Sequence, residues 1–208
     1  MSDNVVWFNG SITRGKREKL HGHSGFVVWL TGFSASGKST IAYALEKELY
    51  SQRCSTYVLD GDNVRHGLCG DLGFSEEDRV ENIRRIGEMA KLFVDAGIIV
   101  ISAFISPYKN DREKVRSLVG GNDFIEVFAD CPIEVCKQRD PKDIYKKVKQ
   151  GIIKNFTGID APYEKPDNPE IHLQTDKLTI EASVQKIMDY VVKQKYINHP
   201  LTRCQKEK

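Results

Sequence analysis

The sequence predicts an α/β fold, a five-stranded parallel sheet flanked by helices. Three observations carry that expectation. Short apolar runs recur along the chain, as Phe26–Thr31, Gly97–Phe104 and Phe124–Ala129, and runs of this kind suit strands buried on both faces. Between them lie longer stretches whose apolar residues repeat at helical spacing. The two kinds alternate in order, which implies parallel strands joined by right-handed crossovers. With 208 residues, 40% of them apolar and 29% charged, the chain suits one globular domain with a sizeable core.

Each element has its own signal. Residues 1–24 are polar and mixed and predict an N-terminal arm of limited regular structure, ahead of a domain over 25–198 and a tail over 199–208. Phe26–Thr31 is the first strand. Glycines and serines follow at once, then a helix over Ser39–Tyr50 with Ile41, Leu45 and Leu49 on one face. Ser55–Leu59 reads as a second strand ending in Asp60-Gly61-Asp62. Ser75–Gly97 is the strongest helix: Ser75 suits an N-cap, two acidic residues suit the dipole, and Gly97 suits the terminus. The strand Gly97–Phe104 precedes a charged helix near Asn110–Val119. After the strand Phe124–Ala129 come a short helix over Pro132–Arg139 and a basic helix over Asp143–Gln150. Gly151–Pro169, rich in Pro, Gly and Asp, predicts a long loop acting as a mobile lid. Ile171–Gln174 is the fifth strand, and Thr179–Gln194 is the closing amphipathic helix.

Charge and cysteine usage narrow the function classes. The formal net charge is +2 with the basic residues spread along the chain, so no block suggests a nucleic-acid arm. Five cysteines, Cys54, Cys69, Cys131, Cys136 and Cys204, form no CxxC pair and fit neither a zinc site nor a disulfide framework. Reduced thiols in a cytoplasmic protein are the expectation. Met1–Asn9 lacks the apolar core of a signal peptide, and no apolar run has the length of a membrane span. No histidine pair has metal-ligand spacing.

The chemistry is concentrated after the first strand. Gly32-Phe33-Ser34-Ala35-Ser36-Gly37-Lys38-Ser39 matches GxxxxGK[ST] between a strand and a helix, the context that the phosphate-binding P-loop requires. Its glycines let the backbone wrap phosphate oxygens, and the wrapped amides and helix N-terminus form an anion nest. Lys38 is expected to reach the β- and γ-phosphates, and the Ser39 hydroxyl to ligate Mg²⁺. Asp60 and Asp62 follow the second strand, where ligands bind in doubly wound sheets; two carboxylates there can hold Mg²⁺ through water and orient an acceptor hydroxyl. Arg65 and Arg79 flank a Gly-containing loop with Phe74; arginine forks bind phosphate and sulfate, and the ring can stack on a base. Arg139-Asp140-Pro141-Lys142 offers basic side chains for a transferring phosphoryl group. A guanine-reading NKxD segment is absent, which argues against a GTPase switch. Another small-molecule kinase, acting on a nucleoside, shikimate or gluconate, is the alternative.

Several segments together resemble the adenylyl-sulfate (APS) kinase family: GFSASGKST over Gly32–Thr40, LDGDNVR over Leu59–Arg65, DLGFSEEDRVENIRR over Asp71–Arg85, FISPY over Phe104–Tyr108, QRDPKDIY over Gln138–Tyr145 and KNFTGIDAPYEK over Lys154–Lys165. The stretches Asn4–Trp7 and Thr13–Gly25 look similar too. The resemblance implies a P-loop fold and transfer of the ATP γ-phosphate, with Mg²⁺, to the 3′-hydroxyl of APS. It implies Asp62 as base or positioner, Asp60, Arg65, Arg79 and Asn82 around the phosphosulfate, and Phe74 and Phe156 sandwiching the acceptor adenine. Ile105 and Ser106 line the same site by resemblance, and Ser106 matches a position described as a phosphoserine intermediate. Lys142 would reach the phosphates and Arg139 the ATP adenine. With Lys38, Asp62 and Ser106 as catalytic candidates, Ser39 and Asp62 as metal ligands, and Gly32, Ser34, Ala35, Ser36, Gly37 and Thr40 around the nucleotide, the implied site is complete. The implied enzyme is a homodimer in the cytoplasm, bound neither to nucleic acid nor to membrane. Phe33 stands where the family more often has Leu, and Asp143 where it usually has Gly. No sulfurylase domain accompanies these segments.

Overall fold

Val27–Thr31, five residues without a polar side chain before its last position, forms the fully buried strand β1 of the computed structural model, which describes residues 10–197 together with Asn4, Val6 and Phe8. Its neighbours are β3 (Ile99–Ala103) and β4 (Phe124–Asp130), with Val27 opposite both Val100 and Phe124. Outside them lie β2 (Thr56–Asp60) and β5 (Ile171–Gln174). All five strands are parallel in the order β2-β3-β1-β4-β5. Chain order reverses on either side of β1, and that reversal opens the crevice where ligands bind in such sheets.

The alternating side chains of β1 seed two cores. Val28 and Leu30 pack with Leu45 and Leu49 of α2 (Lys38–Ser51) and with Ile187 and Val191 of α8 (Ile180–Lys193). Val27 and Trp29 face the other way, against Ile83, Ile86 and Ala90 of α4 (Glu76–Asp95). Helix α5 (Lys109–Val119) lies beside α4 so closely that a Cβ on Gly87 would sit 2.8 Å from the Val115 side chain. Truncating a fully buried leucine such as Leu45 costs about 2–5 kcal/mol in comparable cores, against about 0–1 kcal/mol for an exposed ion pair. The apolar layers therefore dominate the stability of the sheet. The cap of α4 is as predicted, the Ser75 hydroxyl accepting from the Asp78 amide at 3.1 Å.

The structure departs from expectation in three places. The N-terminal segment contains a regular helix, α1 (Arg14–His21), which buries no residue of its own. Polar contacts hold it instead: Arg14 donates to Glu18, to Asp123 at 2.5 Å and to the Gly25 carbonyl, and Arg17 pairs with Asp95. Without an apolar stripe it had no periodic signal. The second departure is α3 (Gly61–Val64), a single turn capped by the Asp60 side chain, which accepts from the Asp62 amide. The third concerns the expected lid. Residues 151–169 form no helix or strand. With α6 (Ile133–Arg139) and α7 (Ile144–Lys149) they nonetheless close a third apolar cluster around Cys131, Cys136, Tyr145 and Phe156. The lid is docked. The tail over 199–208, with Cys204, lies outside the described residues.

Candidate active site at the carboxyl ends of the strands

The loop between β1 and α2 owes its path to glycine. Gly32 has φ +148°, and a Cβ there would meet the Ala129 carbonyl oxygen at 2.5 Å. Ala35 adopts φ +61°, and Gly37 caps α2 with φ +95°. The hydroxyl of Ser36 is buried and has no hydrogen-bond partner among the described residues, an orphaned donor inside the turn. Lys38 Nζ donates to the Gly32 and Phe33 carbonyls at 2.9 and 2.6 Å, and burial pushes its ammonium down to about 8. A buried ammonium with only neutral acceptors is short of counter-charge, and a polyphosphate supplies it. Ser34 lends its carbonyl to the Tyr145 hydroxyl at 3.0 Å, which ties α7 to the loop. Ser39 and Thr40, in the first turn of α2, are exposed.

At the end of β2 the two carboxylates separate. Asp60 is buried and accepts from the Ser39 hydroxyl at 2.7 Å and the Asp62 amide at 3.0 Å. Asp62 points outward and pairs with Lys142 from the α6–α7 turn. The expected metal pair is Ser39 and Asp62; in the structure the Ser39 hydroxyl bonds Asp60, while Asp62 pairs with Lys142. Among the described residues no group of three His, Cys, Asp or Glu side chains could hold a metal by itself. A hydroxyl and a carboxylate beside a phosphate loop fit Mg²⁺, which keeps waters and takes substrate phosphate oxygens for its other ligands.

The expected acceptor residues fall into two groups. Arg65 donates to the Leu72 and Gly73 carbonyls at 2.9 Å, and its guanidinium stacks 4.3 Å from the centre of the Phe74 ring. Phe74 itself is 66% exposed. Arg79 donates to the Phe74 carbonyl, to Thr157 Oγ1 and to the Asn155 carbonyl, and burial lowers its pKa. It thus joins the loop before α4 to the docked lid. Phe156, only 9% exposed, meets the Tyr145 ring edge-on at 5.1 Å. The two rings expected to sandwich a base occupy different settings, one exposed and one in the third cluster. Asn82 is buried, and its Nδ2 has no hydrogen-bond partner among the described residues.

Beyond β3 the chain turns sharply at Ser106, which has φ +39°. The Ser106 hydroxyl is 2% exposed as part of a buried residue and accepts from Trp29 Nε1 at 3.0 Å. The Ile105 carbonyl accepts from Thr31 Oγ1 at 2.7 Å. That uses the threonine's hydrogen, so the Tyr163 hydroxyl donates to Thr31 at 3.0 Å. Arg139, at the end of α6, donates to the Thr175 carbonyl beyond β5 at 2.8 Å. Three of these contacts, those of Tyr145, Trp29 and Tyr163, carried no signal in the sequence: a buried aromatic reads as core until its polar atom is placed.

The family model for adenylylsulphate kinase matches residues 24–174, a span that runs from the approach to β1 to the end of β5 and takes in every residue of the site. The chain belongs to the adenylylsulphate kinase family. An adenylyl-sulfate kinase of Thermodesulfovibrio yellowstonii is 63% identical over 190 residues, 91% of this chain and 95% of that one. The solved APS kinase of Mycobacterium tuberculosis, in complex with AMPPNP and APS, is 45% identical, with a TM-score of 0.77 over 81% of this chain and 98% of the other. A hexameric APS kinase from Thiobacillus denitrificans is 30% identical, with a TM-score of 0.64, over 86% of this chain and 31% of the other. In this member of the adenylylsulphate kinase family, Phe33 has a local partner. Gly158 of the docked lid, at φ +86°, approaches so closely that a Cβ would lie 2.5 Å from the Phe33 ring.

Proposed function

We infer that the chain is an adenylyl-sulfate kinase that transfers the γ-phosphate of ATP to the 3′-hydroxyl of APS. The observation that carries this reading is a phosphate loop facing the acid-bearing end of β2, in a chain 63% identical over 190 residues to an adenylyl-sulfate kinase. The loop amides, the Ser36 hydroxyl and Lys38 hold the polyphosphate, and Arg139, at the end of α6, is assigned to the ATP base by the family resemblance. Ser39 and Asp60 would hold Mg²⁺ beside the phosphate loop. When bound, the ion would supply charge neutralisation to the polyphosphate. Asp62 faces the acceptor hydroxyl and takes its proton as the phosphoryl group transfers. Lys142 rests on Asp62 in this structure, and the terminal phosphate offers it a stronger anion. On moving there it frees the base and meets the charge that develops.

Phosphoryl transfer needs two bound substrates in line and charge on either side, and no covalent step. Ser106 therefore serves the acceptor wall, its hydroxyl already bonded to Trp29. Arg79, Asn82 and Ile105 complete that wall. Arg65 holds Phe74 outward, ready to cover a base, and Phe156 backs the opposite side from the lid. We place the enzyme in the cytoplasm, where ATP is at hand and its four described thiols stay free. A homodimer is the assembly that the family resemblance implies, although the Thiobacillus denitrificans enzyme is a hexamer.

An acceptor comparison tests the activity. ADP release from Mg-ATP is measured with APS, a nucleoside, gluconate or shikimate as acceptor. Release with APS should far exceed release with the others. A higher rate with a sugar acid or nucleoside would replace APS as the acceptor.

A further inference from the structure

Arg112 is the most deeply buried guanidinium of the described residues, at 3% exposed, and each edge of its fork is committed. Nε donates to Glu126 of β4 at 2.7 Å. One terminal nitrogen donates to the Ser106 carbonyl at 2.7 Å, and the other to the Glu164 carbonyl at 2.8 Å. The first carbonyl belongs to the turn after β3, the second to the far end of the lid loop. The same two stretches meet again beside it: the Glu164 amide donates to the Pro107 carbonyl at 2.8 Å, and the Glu164 carboxylate accepts from the Lys109 amide at 2.7 Å.

We propose that Arg112 is a positioning residue for the acceptor, tying the Ser106 turn to the foot of the lid loop and so fixing the spacing between the two walls of the acceptor site. It touches no substrate. The turn that it holds has φ +39° at a serine, a backbone shape that costs energy and persists only when its surroundings enforce it. The Ser106 carbonyl, fixed by the guanidinium, and the Ser106 hydroxyl, fixed by Trp29, supply that enforcement. Eight residues before Glu164 stands Phe156, and between them Tyr163 bonds Thr31 of β1. The lid loop is therefore pinned at one end to β1 and to the turn that carries Ile105 and Ser106. A planar fork can hold two carbonyls and a carboxylate in one plane, and a lysine, with a single nitrogen, cannot.

The inference rests on the acceptor site described above. A second, half-buried arginine gives the control. Arg116, also on α5, pairs with Glu170 at 2.7 Å and lies 3.6 Å from Glu126, but it bonds neither the Ser106 turn nor Glu164. Arg112→Lys and Arg116→Lys each remove a fork from one buried network, and both should lower Tm. Only Arg112→Lys should raise KM for APS, by about tenfold or more, while KM for ATP stays within about twofold, because a wall placed wrongly weakens the acceptor's contacts alone. If Arg112→Lys fails to fold, the pair Arg112→Gln with Glu126→Gln leaves no lone buried charge and should show the same selective rise. Unchanged KM for APS in a folded Arg112 variant, or equal rises for both substrates, would overturn the proposal. Wild-type protein is assayed first. Failure of its APS-dependent ADP release would count against the activity and not against Arg112.

Discussion

Asp60 and Asp62 are separated by one glycine and end in opposite settings. Asp60 closes β2, is buried, and accepts from Ser39 and from the amide that starts α3. Its charge is taken up by those two contacts. Asp62 has its backbone in that turn and its carboxylate outside, against Lys142. A carboxylate that is exposed and paired with a movable lysine can take a proton when the partner leaves. Asp62→Asn keeps the shape and removes the base, so kcat should fall by at least ~10²-fold, the usual worth of a general base. Circular dichroism should show an intact fold. An Asn variant near the wild-type rate would take Asp62 out of the chemistry. Telling the two acids apart required the one-turn helix α3, which four residues with a glycine and no apolar repeat do not announce.

At the scale of elements, the segment that follows α1 is tied to the residue before β2 through histidine. His23 Nε2 accepts from the Ser55 amide at 2.9 Å, which leaves Nδ1 carrying the hydrogen toward the Ser24 carbonyl. The ring is therefore neutral, and burial lowers its pKa below the ordinary histidine value, with His21 adding to that and Glu18 opposing it. The sign follows from linkage. Below about pH 6.5 the unfolded chain takes a proton that the folded ring resists, so stability falls as pH drops from there toward the folded-state value and is flat above about pH 6.5. Wild type should lose more Tm than His23→Gln between about pH 7.5 and about pH 5.5, across the range where histidine titrates. Equal losses would show that the Ser55 contact does not depend on the protonation of His23. The strands and long helices were legible because each carries an apolar repeat, and Ile171–Gln174 matches β5 residue for residue. The N-terminal helix was not legible, because ion pairs hold it. The arginine network was half legible. Glu126 stands in the middle of a buried strand, and a buried carboxylate requires a cation; what pattern did not reveal was that the cation comes from the charged helix α5.

At the scale of the whole molecule, three loops converge on the crevice beside β1: the phosphate loop after β1, the acid-bearing turn after β2 and the Ser106 turn after β3. The docked segment from α6 to Glu164 lies across them, bonded to the first through Tyr145 and Ser34 and to the third through Arg112. The motif made the first two loops legible, since a P-loop needs its strand and helix. The docking was not, because Phe156 and Tyr145 sit in segments whose composition reads only as loop and basic helix. The central claim is that this convergence holds the terminal phosphorus of ATP opposite the acceptor hydroxyl, with Asp62 beside the hydroxyl. The most direct measurement is a crystal structure with a non-hydrolysable ATP analogue and APS bound together. The account predicts the triphosphate wrapped by residues 32–39, Lys142 moved from Asp62 to the terminal phosphate, and Asp62 within hydrogen-bond reach of the APS 3′-hydroxyl. A nucleotide seated away from that turn, or an Asp62 still paired with Lys142 and remote from the hydroxyl, would contradict it.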